Sequence, residues 1–145
     1  MKNPFSAIVF TLISFSLSAQ NKEIIKTDKA PVPIAPYSQG IKANGFLFVS
    51  GQIALDPETG NLKMADIEEE THQVMQNLKA VLQTAGHQFS HIVKTTIFLS
   101  DMALFTRVNE VYGSYFTGSY PARETVAVKG LPKGVNVEIS VISAS

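Results

Sequence analysis

Arg123 and Glu138 are the residues of this chain best suited to act on a small anion. Arg123 lies in Tyr120-Pro121-Ala122-Arg123-Glu124-Thr125-Val126-Ala127-Val128. Pro121 has no N–H and a preset φ, so it suits the start of a strand and not its interior. The β-branched run after it then carries Arg123 among the strand's first residues, next to solvent. A guanidinium held by backbone on both sides can bind a planar anion such as a carboxylate through two parallel hydrogen bonds. Seen alone, this arginine also fits an ordinary surface residue at a strand end.

Glu138 sits in the last apolar run, Val135 to Ile142. Val135, Val137, Ile139 and Val141 share one face of a strand, and Asn136, Glu138, Ser140 and Ile142 share the other. A lone mid-strand Glu is ordinarily a solvated charge on an open sheet face. Other strands, however, carry apolar residues on both faces: Phe46 and Phe48 against Leu47 and Val49, and Val93, Ile97 and Leu99 against Ile92 and Phe98. Two helices cover one side of such a sheet, so the second side must meet something else, most simply another copy of the chain. Glu138 is therefore expected at a subunit boundary.

The elements that would carry these residues follow from local signals. Ile24-Ile25 can start an edge strand, and Pro31, Pro33 and Pro36 force extended backbone before Tyr37. Asn44-Gly45 is a hairpin signal joining Ile41-Lys42-Ala43 to Phe46-Leu47-Phe48-Val49-Ser50, which continues outward through Leu55. Asp56 to Gly60 reads as a turn. Asp66 to Gly86 is the strongest helix: Asp66 and Glu69 resemble a capping box, and Val74, Leu78, Val81, Leu82 and Ala85 form one stripe. Ile92 to Leu99 is a β-branched strand. Ser100-Asp101 then offers caps for a second helix, with Leu104, Phe105, Val108, Val111, Tyr112, Tyr115 and Phe116 as its apolar face. The pattern is α+β, in one domain for 145 residues.

Composition narrows the chemistry. Twelve basic residues balance twelve acidic ones with no basic stripe, which argues against a dedicated nucleic-acid surface. There is no cysteine, so neither disulfides nor thiolate metal sites are available. His72, His87 and His91 read as helix-surface and loop residues, and no metal site is expected. The first residues are of a different kind. Lys2 precedes the uncharged run Phe5 to Leu17, followed by Ser18-Ala19-Gln20. That order fits a secretory signal peptide over residues 1–19, with a single domain over 20–145. The run is shorter than the roughly 20 apolar residues of a spanning helix and is diluted by serines, so no membrane anchor is expected after cleavage. The expected location is periplasmic or secreted.

Pro36-Tyr37-Ser38-Gln39-Gly40, Phe48-Val49-Ser50-Gly51-Gln52, Val108-Asn109-Glu110-Val111-Tyr112, Phe116, Pro121-Ala122-Arg123 and Val137-Glu138-Ile139 together resemble, in order and spacing, the RidA (YjgF) family. The resemblance runs from about Ile24 to Ile142. It implies a chorismate-mutase-like fold, a mixed but mostly antiparallel sheet backed by two helices, assembled as a homotrimer with three sites between subunits.

The activity this resemblance implies is hydrolysis of 2-imino acids, or their enamine tautomers, to 2-keto acids and ammonia, without cofactor or metal. Position by position, Arg123 matches the arginine that pairs with the substrate carboxylate, and Glu138 the glutamate that activates water. Tyr37, Ser50 and Asn109 match residues lining the pocket. An imine carbon is already electrophilic, so a clamp for orientation and a general acid/base suffice. Thr125 stands where many members carry cysteine; its hydroxyl still donates a hydrogen bond, but no thiolate can form. A non-catalytic trimer that binds small carboxylates or holds unfolded proteins is the competing reading. The family has also been linked with RNA cleavage, which the lack of a basic patch disfavours here.

Overall fold

The computed structural model describes residues 22–145; the expected signal peptide lies outside the described residues. Six strands form one sheet: β1 (Glu23–Ile25), β2 (Gly40–Ala43), β3 (Phe46–Gln52), β4 (Ile92–Leu99), β5 (Ala122–Ala127) and β6 (Val137–Ala144). Their order is β1-β2-β3-β6-β4-β5, antiparallel throughout except for the parallel pair β4–β5. Two helices, α1 (Ile67–Thr84) and α2 (Phe105–Gly113), complete the mixed, mostly antiparallel α+β architecture.

The local signals act as expected. Asn44 and Gly45 both take positive φ, 51° and 78°, closing the β2–β3 hairpin in the twist that suits its strands. Asp66 caps α1 by accepting from the Glu69 N–H at 2.8 Å, while Glu69 reaches back to the Ala65 N–H at 2.9 Å. Helix α1 packs on β3 and β6 and against α2. Its Val74, Leu78, Val81 and Leu82 are fully buried with Leu47, Leu99, Val137 and Ile139 of the sheet. Truncating Leu78 to Ala in so closed a layer costs about 2–5 kcal/mol. The Arg107 guanidinium grips the Glu68 carboxylate across the two helices.

Two expectations are corrected and a third is refined. Ile92 and Val93 exchange faces, Ile92 being buried and Val93 exposed, because the β4–β6 register shifts between Ile92 and Lys94. Helix α2 stops at Gly113, so Tyr115 and Phe116 lie beyond it in turns bonded back to Tyr112 and Gly113. His87 lies in a loop, as expected, but not in an exposed one. It is buried, with its two ring nitrogens on the hydroxyls of Ser143 at 2.9 Å and Ser145 at 3.2 Å, and the His91 ring set edge-on to it.

Both helices lie on one side of the sheet. On the other side Phe46, Phe48, Val93 and Val126 remain between 43% and 47% exposed. That open apolar face is what the alternation of the strands anticipates.

Candidate functional site

Arg123 lies near the start of edge strand β5, in register with Thr95 of β4. Thr95 is buried under the helices, and paired residues of neighbouring strands point the same way, so Arg123 and Thr125 face the helix layer. There the Arg123 guanidinium donates from Nη1 to Asn109 Oδ1 on α2. Its central carbon stands 5.1 Å from the Tyr112 ring centroid and 5.7 Å from that of Phe105, within range for a cation–π contact. Tyr112 is fixed in turn by a 3.0 Å hydrogen bond from its hydroxyl to Thr95 Oγ1, and burial raises its phenol pKa despite the opposing effect of that bond, so it stays neutral. Among the described residues Arg123 has no carboxylate partner. A cleft of about 470 Å³ opens beside it, bounded by Asn109, Tyr112, Gly113, Tyr120 and Pro121. The arginine is held by one acceptor and two rings, and among the described residues the rest of its donor fork is free for a planar anion.

Glu138 lies elsewhere. It pairs with Phe98 on the open face of the sheet and is partly buried. Removal from water pushes its carboxyl above the ordinary carboxylate range, so a proton stays on it to higher pH. A second cleft, of about 340 Å³, is lined by Glu138, Tyr37, Ser50, Gly51, Ile53 and Lys133. The β3–β6 register shifts between Val49 and Gln52, so Ser50 and Gly51 occupy an irregular stretch that turns them toward Glu138. Ser50 is fixed by its hydroxyl donating to the Ser38 carbonyl at 2.6 Å.

Gly51 entered the sequence reading only as part of a motif, with no role of its own. A Cβ there would stand 1.9 Å from Glu138 Oε1, so the carboxylate occupies the volume that any other side chain would fill. The signal was a glycine inside a strand pattern, which marks a bulge or a close approach. Gln39 was read only as part of a motif. It is buried, and its side-chain amide donates to the carbonyls of Thr27, Ala30 and Pro31 while its oxygen accepts from the Thr27 N–H. Those bonds fix the irregular segment that delivers Tyr37.

The six expected site residues thus fall into two groups. Arg123, Asn109 and Thr125 belong to the helix side; Tyr37, Ser50 and Glu138 belong to the open side. Thr125 does not line either cleft, and its hydroxyl oxygen is buried with no hydrogen-bond partner among the described residues. Arg123 and Glu138 stand on opposite faces of one sheet, and a single chain does not bring them together. Among the described residues no group of three His, Asp or Glu converges as a metal site, and no helix is long and apolar enough to cross a membrane.

This fold matches known proteins. The family model described as endoribonuclease L-PSP covers residues 27–145. A RutC family protein of Pyrococcus horikoshii is 50% identical over 122 residues, 84% of this chain and 97% of the relative. The 2-iminobutanoate/2-iminopropanoate deaminase of Mus musculus is 43% identical over 127 residues, 88% of this chain and 94% of the relative. The crystal structure of RidA from the Antarctic bacterium Psychrobacter superposes with a TM-score of 0.82 at 38% identity, covering 85% of this chain and 99% of that one. The chain belongs to the RidA (YjgF) family and has its chorismate-mutase-like fold.

Proposed function

We propose that this protein hydrolyses reactive 2-imino acids, such as 2-iminobutanoate and 2-iminopropanoate, or their enamine tautomers, to 2-keto acids and ammonia. The observation that carries the reading is Glu138: a carboxyl in the lining of a cleft, seated in the space that Gly51 leaves for it and pushed above the ordinary carboxylate range by burial. The name of the mouse relative supports the same activity.

On this reading the free edge of Arg123 clamps the substrate carboxylate, and Tyr37, Ser50 and Asn109 line the pocket around the imine. Glu138 takes a proton from water as the oxygen attacks the imine carbon. The proton then goes to the nitrogen of the tetrahedral carbinolamine. Glu138 then relays the carbinolamine hydroxyl proton to the amino nitrogen as the C=O bond forms and the C–N bond breaks, so ammonia leaves and the keto acid remains, with one water consumed. Neither half suffices alone, so the site is assembled between copies of the chain, which we take to be a homotrimer. The exposed Phe46, Phe48, Val93 and Val126 supply apolar surface for that contact. The sequence of residues 1–19 supports export, so we place this activity in the periplasm or outside the cell.

Ammonia release from freshly generated 2-iminopropanoate tests the reading. A rate no greater than that in buffer, from protein shown to be assembled, would reject it.

A further inference from the structure

Glu70 is a carboxylate with no exposed surface, and the reaction scheme above gives it no task. It lies in the first turn of α1, where a glutamate ordinarily faces water and complements the helix dipole. Here it turns inward. Its Oε1 accepts from the N–H of Asn136 at 2.6 Å and of Val137 at 3.2 Å, and its Oε2 accepts from Asn136 Nδ2 at 2.9 Å. Asn136 also accepts twice from Ser100, at its side-chain oxygen from the hydroxyl at 3.0 Å and at its carbonyl from the N–H at 2.9 Å.

The location of this node matters. The pairing of β6 with β3 ends at Ile139, opposite Gln52. Val137 and Glu138 are therefore held in the sheet by β4 alone. What restrains the entry of β6 beyond that one neighbour is Glu70, gripping the two successive N–H groups just before Glu138. A charged acceptor in a dry layer makes stronger and more directional bonds than a neutral one. Through Ser100 the same node reaches Asp101, which accepts from the Ala103 N–H at 2.8 Å and caps the turn leading into α2 and Asn109.

We infer that Glu70 is a positioning residue for Glu138: by fixing the start of β6 from the helix layer, it sets where the Glu138 carboxylate stands against Gly51. This rests on the reading of Glu138 as the proton carrier. Without the grip, the strand end relaxes toward the open face and the carboxyl regains water. A reacting group displaced by about 1 Å loses on the order of 10²-fold in rate.

Three variants of the full protein test this by two readouts: imine hydrolysis, and the titration of Glu138 followed by carbon-13 NMR of labelled glutamate carboxyls. Glu70→Met keeps length and removes all three bonds; we expect kcat to fall roughly 10- to 100-fold with KM little changed, and the Glu138 midpoint to move down toward that of a solvated carboxylate. In Glu70→Gln/Asn136→Asp the amide oxygen still accepts both N–H groups and the Asn136 link survives with donor and acceptor exchanged. It should return kcat to within about threefold of wild type and restore the titration. Val81→Ala, a core truncation under β2, should lower stability without moving the Glu138 midpoint.

If Glu70→Met leaves the Glu138 midpoint in place, or if Val81→Ala moves it as far, the inference is overturned. Should Glu70→Met fail to fold, the double variant decides: a Glu138 midpoint far from wild type overturns the inference, and a restored one supports it. The NMR titration needs no turnover, so a wild-type protein without hydrolase activity would remove the proposed function and leave this inference testable.

Discussion

The helix side and the open side of the sheet present two kinds of half-site. Arg123 is finished within its own chain: Asn109 takes one donor, Tyr112 and Phe105 supply rings, and α2 roofs the cleft. Glu138 is fixed from below by Gly51, Glu70 and the irregular end of β3, but its cleft opens on a face the chain leaves uncovered. The arginine side is thus built by local packing. The carboxyl side is prepared by burial, and its cleft is left open on the uncovered face.

The largest expected effect falls on the open side. Glu138→Gln keeps size but can neither take nor give a proton near neutral pH. Imine hydrolysis should fall by roughly 10²–10⁴, while calorimetric affinity for an unreactive 2-keto acid holds or improves. An equal fall in affinity would make Glu138 a structural residue.

On the helix side, Arg123→Lys preserves charge and loses the planar fork. Loss of one charge-assisted bond predicts about a 10- to 150-fold drop in kcat/KM, with assembly unchanged by light scattering. Near-wild-type activity would mean that the substrate carboxylate docks elsewhere. The two inactive variants also sharpen the comparison when co-refolded. Where Arg123 of one copy meets Glu138 of the next, equimolar mixing should regenerate roughly a quarter of the wild-type sites, the statistical share for a heterologous contact in a closed ring. No recovery on mixing would mean that the halves do not meet between subunits.

Gly51→Ala pushes directly on the carboxylate. We expect a loss of about tenfold in kcat, within the range for a displaced reacting group, and a shifted pH–rate profile. Wild-type kinetics would show that Glu138 does not need this seat.

The smallest effect concerns stability at the far end of the sheet. Burial, then the charges of Lys42 and His91, hold the His87 pKa below its ordinary value. The unfolded chain therefore binds the proton first, and stability is lost as pH falls from about 6.5 through the lowered folded value. Glu138 acts with opposite sign, its raised pKa contributing stability at low pH that is lost as pH rises through the folded value. Chemical denaturation between pH 7.5 and 5 in the Glu138→Gln background isolates the His87 contribution. There the midpoint should fall with acid, and His87→Gln should flatten that slope.

Much of this molecule was legible because its signals are local. Asp66 with Glu69, Asn44-Gly45 and the alternation through Val137, Ile139 and Val141 each state their own geometry within a few residues. Ile92 and Val93 were misassigned because one irregular residue in the β4–β6 ladder inverts the alternation on its N-terminal side. Tyr115 and Phe116 continue the helical spacing past the point where the helix ends. The types of Arg123 and Glu138 were readable, but their opposition was not. The side chain of Arg123 turns under α2 because β5 pairs in parallel with β4, a long-range register that no local residue announces. Glu70 was hidden for a similar reason: a carboxylate in the first turn of a helix looks like a dipole partner until β6 is laid against it.

The separation of Arg123 and Glu138 by the thickness of a sheet has a consequence for concentration. Each chain buries its own core against α1, while the chemistry proposed here would exist only where copies meet. Specific activity would then follow mass action: constant above the dissociation constant of the assembly and fading on dilution below it. Dilution would itself be the off switch.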